Sequence, residues 1–227
     1  MSLSPGDWRM LSGQTDLIKK PKSWPYVPGH DICGVIVDVD PELEEKFASS
    51  NRSEPTSEQK EAPTAASFKK GDKVVGTWDL FGMGGIAEYC LVNYRFAALL
   101  PENLSFVEGA ALANSASHAL GGVKNSNIKE NSRVLVLGGS GAVGTCLIQL
   151  ARLYGASYIA ATSTHLDLLQ ELGVDRPIDY KNEKWWEIQE FIDEPFDVIF
   201  DCAEGQSTLS ARHFFMDIIC CSCIVYA

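Results

Sequence analysis

The feature that most constrains this chain is a strand, a glycine-rich turn and a helix that follow one another between residues 133 and 154. Val134–Leu137 is a short apolar run, typical of a buried strand. The residues between this strand and the helix, 139–144, read GSGAVG and fit the pattern G-x-G-x-x-G. Beyond them, apolar side chains recur at helical spacing: Val143, Leu147, Leu150, Ala151 and Tyr154. This succession predicts a dinucleotide site.

The spacing of the glycines has a physical reason. We expect Gly139 to permit the turn, Gly141 to leave room where a pyrophosphate approaches the backbone, and Gly144 to let the helix pack close to the strand. The start of the helix offers N–H groups and a partial positive charge to the phosphates. A methyltransferase with a similar turn is the main chemical alternative. The predicted cofactor contacts in the turn are Gly139, Ser140, Gly141, Ala142, Val143 and Gly144.

The charge and the cysteines restrict the partners and the compartment. The net charge is −11 without a cluster of Lys and Arg, so we expect no nucleic-acid partner. No apolar run has the length of a membrane span, and the first ten residues lack the pattern of a signal peptide. Seven cysteines, an odd number with three of them in the apolar run IICCSCIVYA, favour a reducing compartment. We therefore predict a cytoplasmic protein, or an organellar one if a targeting segment precedes Met1.

The first half of the chain reads as a small β domain. We predict strands at residues 32–39 and in the segments KVVGTW, GIAEYCLV and FAALL between residues 73 and 100. The stretch 40–70 is polar and poor in large apolar residues, which predicts a disordered insertion. Ser105, with Glu108 three residues on, is a capping signal for a helix that reaches Val123.

The end of the second strand of the nucleotide domain indicates which cofactor binds. We predict this strand at residues 158–162. An NAD enzyme would carry a carboxylate at its end to bind the ribose hydroxyls. Here the residues are Ser163, Thr164 and His165, whose polar groups suit a 2′-phosphate, so we favour NADPH over NADH. Thr164 is alternatively the cap of a helix over 165–172. Further elements are predicted as a helix at 185–192 and strands at 196–201 and 218–226.

Several segments together resemble the medium-chain dehydrogenase/reductase superfamily, most closely its zinc-free quinone-reductase branch, the zeta-crystallin-like enzymes. These segments are SLSPGDWRMLSG and PYVPGHDICGVIVDVD in the first forty residues, KGDKVVG at 70–76, GGIAEY at 84–89, and LGVDRPIDY at 172–180. The resemblance implies an α/β fold in which a partial GroES-like β domain (1–103) precedes a Rossmann domain with a parallel sheet (104–227). It also implies that relatives extend beyond both ends of this chain.

The resemblance further implies an activity, and the chain departs from the family pattern at two residues. The activity is zinc-independent transfer of hydride from NADPH to a quinone or conjugated carbonyl. His118 stands where the family has a hydroxyl residue near the cofactor, and Glu204 replaces a small residue near the nicotinamide ribose. No residue is identified as the general acid. A homodimer through the sheet edge is expected if that edge is complete.

His30 raises the question of a metal, because Gly29-His30-Asp31 resembles the G-H-E segment that supplies a ligand in zinc alcohol dehydrogenases. A catalytic zinc needs three protein ligands. The position of the cysteine ligand is Gly13, and residues 113–117 contain no cysteine. We therefore expect no metal and interpret His30 as a hydrogen-bonded turn residue. The alternatives are a non-catalytic or inactive truncated NADP(H)-binding protein and, less favoured, a zinc alcohol dehydrogenase.

Overall fold

The computed structural model describes residues 1–13, 25–43, 68–77, 84–203 and 218–220. Its chain forms two compact units, Met1–Asn114 and Ser115–Ala227. The domain limits 103 and 104 remain a prediction. Most of the insertion predicted at 40–70 lies outside the described residues. No helix in the described ranges is long and apolar enough to cross a membrane.

The first unit contains a short helix and an antiparallel sheet. Helix α1 (Pro5–Leu11) precedes strands β1 (Asp31–Val35), β2 (Lys73–Thr77) and β3 (Ala97–Leu99). Strand β2 lies between the other two and pairs antiparallel with both. The β-branched residues of β1 and β2 suit a pleated, half-buried surface, as the sequence pattern predicts.

The strand predicted from GIAEYCLV, residues 85–92, is wrong. Instead, this segment folds against the turn at 27–29, where the N–H of Gly84 donates to the Val27 carbonyl at 3.0 Å and that of Gly85 to the Gly29 carbonyl at 2.6 Å. A Cβ on Gly84 would lie 2.0 Å from the Val27 carbonyl oxygen. The backbone approach that the glycines permit replaces strand pairing, and alternation of side chains alone did not reveal it.

Helix α2 (Phe106–Lys124) begins at the predicted capping signal. The Glu108 carboxylate accepts hydrogen bonds from the N–H and the hydroxyl of Ser105, at 2.8 and 2.7 Å. The N–H of Glu108 in turn donates to the Ser105 hydroxyl at 3.3 Å. Two N–H groups that a helix start leaves without intrahelical partners are thereby satisfied.

The second unit is built on a parallel sheet. Its elements, in chain order, are β4 (Ser132–Leu137), α3 (Ala142–Leu153), β5 (Ala156–Ser163), α4 (Leu166–Glu171), β6 (Arg176–Asp179), α5 (Gln189–Asp193), β7 (Val198–Asp201) and β8 (Ile218–Cys220). The strand order is β6-β5-β4-β7-β8, and each neighbouring pair is parallel. Numbered within the unit, this order is 3-2-1-4-5, the arrangement of a Rossmann fold.

Strand β4 is the centre of this core. Val134 and Val136 pack into one apolar cluster with Leu147 of α3, whereas Leu135 and Leu137 pack into a second cluster with Phe191. Side chains of successive strand residues point to opposite faces, so this division means that both faces of the sheet are covered. The continuous apolar run at 134–137 is therefore explained.

Two predicted elements differ from the structure. The strand predicted at 32–39 is observed at residues 31–35. The helix predicted at 185–192 is divided into a 3₁₀ turn, Trp185–Glu187, and α5, with Ile188 between them in an extended conformation. Of the strand predicted at 218–226, the structure describes residues 218–220, which form a strand; residues 221–226 lie outside the described residues.

Candidate functional site

The glycine-rich turn lies at the carboxyl end of β4, where the topology reverses. From β4 the chain continues to β5 on one side, and it later returns to β7 on the other side. Ligands of open parallel sheets bind at such switch points, outside the carboxyl ends of the strands. The predicted dinucleotide motif therefore stands at the place where this fold binds ligands.

The residue that turns the backbone is Gly138, which the sequence motif did not include. Its φ is +78°, a conformation that favours glycine. Its N–H donates to the Thr162 hydroxyl at 3.0 Å, and the N–H of Gly139 donates to the Thr162 carbonyl at 2.9 Å. The sequence feature that could have revealed this is the pair Gly138-Gly139, because either glycine could make the turn.

Gly139 has a different role from the one expected, because it provides space and not a special conformation. A Cβ at this position would lie 2.8 Å from the Cβ of Ala161 in β5 and 3.0 Å from Leu169 in α4. Separations below about 3 Å are far inside van der Waals contact. The expectation that Gly139 makes the turn is therefore wrong. Gly139 is still required in the motif, because a side chain there would collide with β5 and α4.

The other two glycines of the motif occupy contrasting surroundings. A Cβ on Gly144 would lie 2.3 Å from the Gly138 carbonyl oxygen, so helix α3 packs directly on the turn. A Cβ on Gly141 would meet only that same oxygen, at 3.3 Å. Gly141 is the exposed N-cap of α3, followed by Ala142 and Val143 in its first turn. The open position and the helix start together suit a pyrophosphate.

The end of β5 lies beside this turn. Ser163, the last residue of the strand, is 1% exposed, and its hydroxyl is 2.7 Å from that of Ser140. Thr164 and His165 follow and are exposed. The N-cap of α4 is His165, so the alternative interpretation of Thr164 as its cap is wrong. The Ser163 hydroxyl accepts a hydrogen bond from the His165 N–H at 2.8 Å. Because this bond fixes the backbone at His165, the helix begins one residue later than the sequence predicts.

The remaining predicted contacts are more distant in the chain. His118 lies half-buried in α2, one residue before the fully buried Ala119. Its cofactor role stays a prediction. Glu204 lies outside the described residues, while the preceding Ala203 approaches the turn, since a Cβ on Gly138 would be 3.4 Å from the Ala203 Cβ.

His30 makes the hydrogen bond expected of a turn residue. Its Nδ1 is 2.5 Å from the carboxylate of Asp7, a buried residue of α1 that sequence reasoning did not identify. Burial alone would raise the pKa of Asp7. The hydrogen bonds from His30 and from the N–H groups of Ser4 and Gly29 outweigh burial and lower this pKa to about 2. The carboxylate is therefore ionised and holds the loop at 29–30 against α1.

The geometry of His30 does not distinguish a turn residue from a zinc ligand by itself. Histidines that bind zinc also commonly donate their second nitrogen to a carboxylate. In the part of the chain that the structure describes, no three His, Cys, Asp or Glu side chains are grouped to hold a metal ion. The prediction that zinc does not bind therefore still rests on the sequence, in which Gly13 stands at the position of the cysteine ligand.

Two family models match the chain. The alcohol dehydrogenase GroES-like domain matches residues 1–102, and the zinc-binding dehydrogenase model matches residues 142–213. The second range contains neither His30 nor the other positions considered for zinc ligands. The parallel sheet with its glycine turn, following a GroES-like domain, is the two-domain architecture of a dehydrogenase superfamily. The chain belongs to the medium-chain dehydrogenase/reductase superfamily, and it is similar to the quinone oxidoreductases of that superfamily.

Named relatives agree with this assignment. The chain is 34% identical over 209 residues to the 2-methylene-furan-3-one reductase of Solanum lycopersicum, covering 88% of this chain and 47% of that protein. It is 32% identical over 210 residues to the chloroplastic NADPH-dependent alkenal/one oxidoreductase of Arabidopsis thaliana, covering 88% and 48%. The chain thus spans about half the length of these curated relatives.

A solved structure shares the fold. The quinone oxidoreductase from Coxiella burnetii superposes with a TM-score of 0.71 at 21% identity, covering 95% of this chain and 61% of that chain. At this identity the likeness concerns the fold alone. It confirms the α/β prediction of a Rossmann sheet preceded by a partial GroES-like domain.

The contrast between the motif glycines predicts a difference in stability. In Gly144→Ala, the new Cβ would overlap the Gly138 carbonyl oxygen. We expect unfolding in urea to show a loss of about 2 kcal/mol or more. Gly141→Ala is the matched control, because its Cβ would lie 3.3 Å from the same oxygen and need a shift of only a few tenths of an ångström, and it should change the stability by less than about 1 kcal/mol. Equal losses in the two variants would contradict the described packing.

The low pKa of Asp7 predicts a dependence of stability on pH. Its folded-state value of about 2 lies below the ordinary 3.8, so its stabilising contribution is present above pH 3.8 and lost as the pH falls towards 2. In Asp7→Asn, we expect a loss of roughly 2 kcal/mol at pH 6 that shrinks below pH 4. The exposed Asp38→Asn is the control in urea titrations. A difference between wild type and Asp7→Asn that does not vary with pH would refute this account.

Proposed function

We propose that this protein transfers hydride from NADPH to a conjugated carbonyl or a quinone without a zinc ion. The observation that carries the proposal is the glycine turn at the switch point, where Gly144 packs on the turn and Gly141 leaves an open position. Bound NADPH would supply the hydride. The chain itself would bind and orient the cofactor.

The pyrophosphate fits the start of α3. The helix has twelve residues, and its first N–H groups have no partners within the helix. The open position at Gly141 leaves the backbone accessible, as a pyrophosphate requires. Ser140 adds a hydroxyl beside these N–H groups. In this proposal, Ser140, Gly141, Ala142 and Val143 contact the pyrophosphate, whereas Gly139 and Gly144 make room for the turn.

The preference for NADPH is proposed from the residues after β5. Thr164 and His165 are exposed there, and the Thr164 hydroxyl is 3.4 Å from Nδ1 of His165. Neither side chain is a carboxylate that would repel a 2′-phosphate, and both can donate hydrogen bonds to it. A relative at 32% identity is named as an NADPH-dependent enzyme, which supports the same cofactor.

The substrate class is proposed from the family and its named members. The tomato relative is named a 2-methylene-furan-3-one reductase and the Arabidopsis relative an alkenal/one oxidoreductase. Both names denote conjugated carbonyl compounds. Gly13 at the position of a cysteine ligand supports chemistry without zinc. Stabilisation of the negative charge on the substrate oxygen then requires hydrogen-bond donors.

Cytoplasmic location is proposed from the cysteines, whose number and placement favour a reducing compartment. The organellar alternative has support from the relative named as chloroplastic. Imaging the complete protein with a fluorescent tag distinguishes the two locations. Size-exclusion chromatography tests the predicted homodimer.

The function is tested by titrating the purified protein with NADPH and NADH, followed by fluorescence. Methyl vinyl ketone or 1,4-benzoquinone is then added, and the oxidation of NADPH is followed by absorbance. We expect tighter binding of NADPH and its oxidation by one of the two acceptors. Gly141→Ala should weaken binding by about tenfold or more, which corresponds to about 1.4 kcal/mol of lost contact. The same mixture without protein measures the uncatalysed reaction.

The outcomes separate the alternatives. Binding of NADPH without oxidation by either acceptor would favour the non-catalytic binder. Activity that requires added zinc and is abolished by a chelator would favour the zinc alcohol dehydrogenase. Unchanged NADPH affinity in Gly141→Ala would contradict the proposed position of the pyrophosphate.

The cofactor preference makes a separate prediction at Thr164. In Thr164→Glu, a carboxylate would face the 2′-phosphate and could bind the ribose hydroxyls of NADH. We expect NADPH affinity to fall by about tenfold, while NADH affinity stays within about twofold. Thr164→Gln, of the same size without the charge, is the control. Equal effects of both variants on NADPH and NADH would show that this residue does not contact the 2′-phosphate.

A further inference from the structure

Ser163 occupies an unexpected environment for a residue that would contact a 2′-phosphate. Its side chain is buried, with 1% exposure, whereas the following Thr164 is exposed. Its hydroxyl already has two partners. It accepts the N–H of His165 at 2.8 Å and donates to the hydroxyl of Ser140 at 2.7 Å.

These two hydrogen bonds affect which further groups the Ser140 hydroxyl can bind. Both partners are hydroxyls at 2.7 Å, so either can donate; in the arrangement in which Ser163 donates, its single proton is used in the bond to Ser140. A serine hydroxyl has one donor and two acceptor positions. The proton of Ser140 is therefore not needed for this bond and remains for a group outside the turn. Ser140 stands next to Gly141 at the start of α3, where the proposed function puts the pyrophosphate.

The same end of β5 holds the turn at two further points. The Thr162 hydroxyl accepts the N–H of Gly138 at 3.0 Å, and the Thr162 carbonyl accepts the N–H of Gly139 at 2.9 Å. Thr162 is also buried. Consecutive residues of β5 thus fix consecutive residues of the turn: Thr162 holds its backbone, and Ser163 holds the side chain of Ser140.

We propose that Ser163 is a positioning residue, which orients the Ser140 hydroxyl towards the pyrophosphate and does not itself bind the 2′-phosphate. The inference rests on the proposed function. It replaces the direct contact predicted for Ser163 with an indirect one, and it leaves Thr164 and His165 as the residues that distinguish NADPH from NADH.

The two roles have different consequences for cofactor binding. NADH and NADPH share the pyrophosphate, and only NADPH carries the 2′-phosphate. Loss of a residue that acts on the pyrophosphate weakens both cofactors by the same factor, so their ratio is unchanged. Loss of a 2′-phosphate contact weakens NADPH alone.

The experiment is a double-mutant cycle read by cofactor affinity. Ser163→Ala, Ser140→Ala and the double variant are each titrated with NADPH and NADH. We expect Ser163→Ala to weaken both cofactors by the same factor, about threefold to tenfold for one hydrogen bond. The double variant should bind no more weakly than Ser140→Ala, because Ser163 acts through Ser140.

Other results would overturn the inference. A loss in Ser163→Ala that is confined to NADPH would assign Ser163 to the 2′-phosphate, by direct contact or through its bond to His165, and reject the role at the pyrophosphate. Losses that add in the double variant would show that Ser163 does not act through Ser140. Failure of the wild-type protein to bind either cofactor would instead reject the proposed function, and with it this inference.

Two further variants guard against general damage to the fold. Ser163→Thr keeps the hydroxyl and should restore the affinity for both cofactors to within about twofold of wild type. Thr164→Ala should weaken NADPH more than NADH, which shows that the assay detects a selective loss. Affinity in Ser163→Thr as low as in Ser163→Ala, with an unchanged melting temperature, would count against a role for the hydroxyl.

Discussion

The nucleotide-binding half of this protein depends on the close approach of helix α3 to the turn that precedes it. The approach is possible because residue 144 has no side chain, since any Cβ there would overlap the Gly138 carbonyl oxygen. It brings the start of the helix to the carboxyl end of the central strand. Leu147, Ile148 and Ala151 are thereby buried against the sheet. The proposed site and the core behind it consequently share one structural requirement.

The turn is held from the neighbouring strand as well as from the helix. Thr162 bonds its backbone, and Ser163 bonds the side chain of Ser140. Both residues are buried, so these bonds are shielded from competition with water. The residues proposed to bind cofactor are thus supported by a second set that does not need to touch it. This arrangement puts the selective contacts on exposed residues and the supporting contacts on buried ones.

The sequence predicted the features that local chemistry determines. The apolar run at 134–137, the helix after Val143 and the capping pair Ser105 and Glu108 are all present in the structure. The predictions failed where contacts between distant segments decide the conformation. The strand predicted at 85–92 is replaced by bonds to residues 27–29. The hydrogen bond expected of His30 is present, but its partner Asp7, 23 positions away, was not identified. The sequence analysis assigned the turn to Gly139, whereas the positive φ shows that the preceding Gly138 makes it.

The central claim is that the start of α3 binds the pyrophosphate. It is tested most directly by recording backbone amide NMR shifts while ADP is added, because ADP carries a pyrophosphate but no 2′-phosphate. The account predicts that the largest shifts occur at Gly141, Ala142 and Val143, with smaller ones at Thr164 and His165. Large shifts elsewhere, with these three amides unchanged, would contradict it.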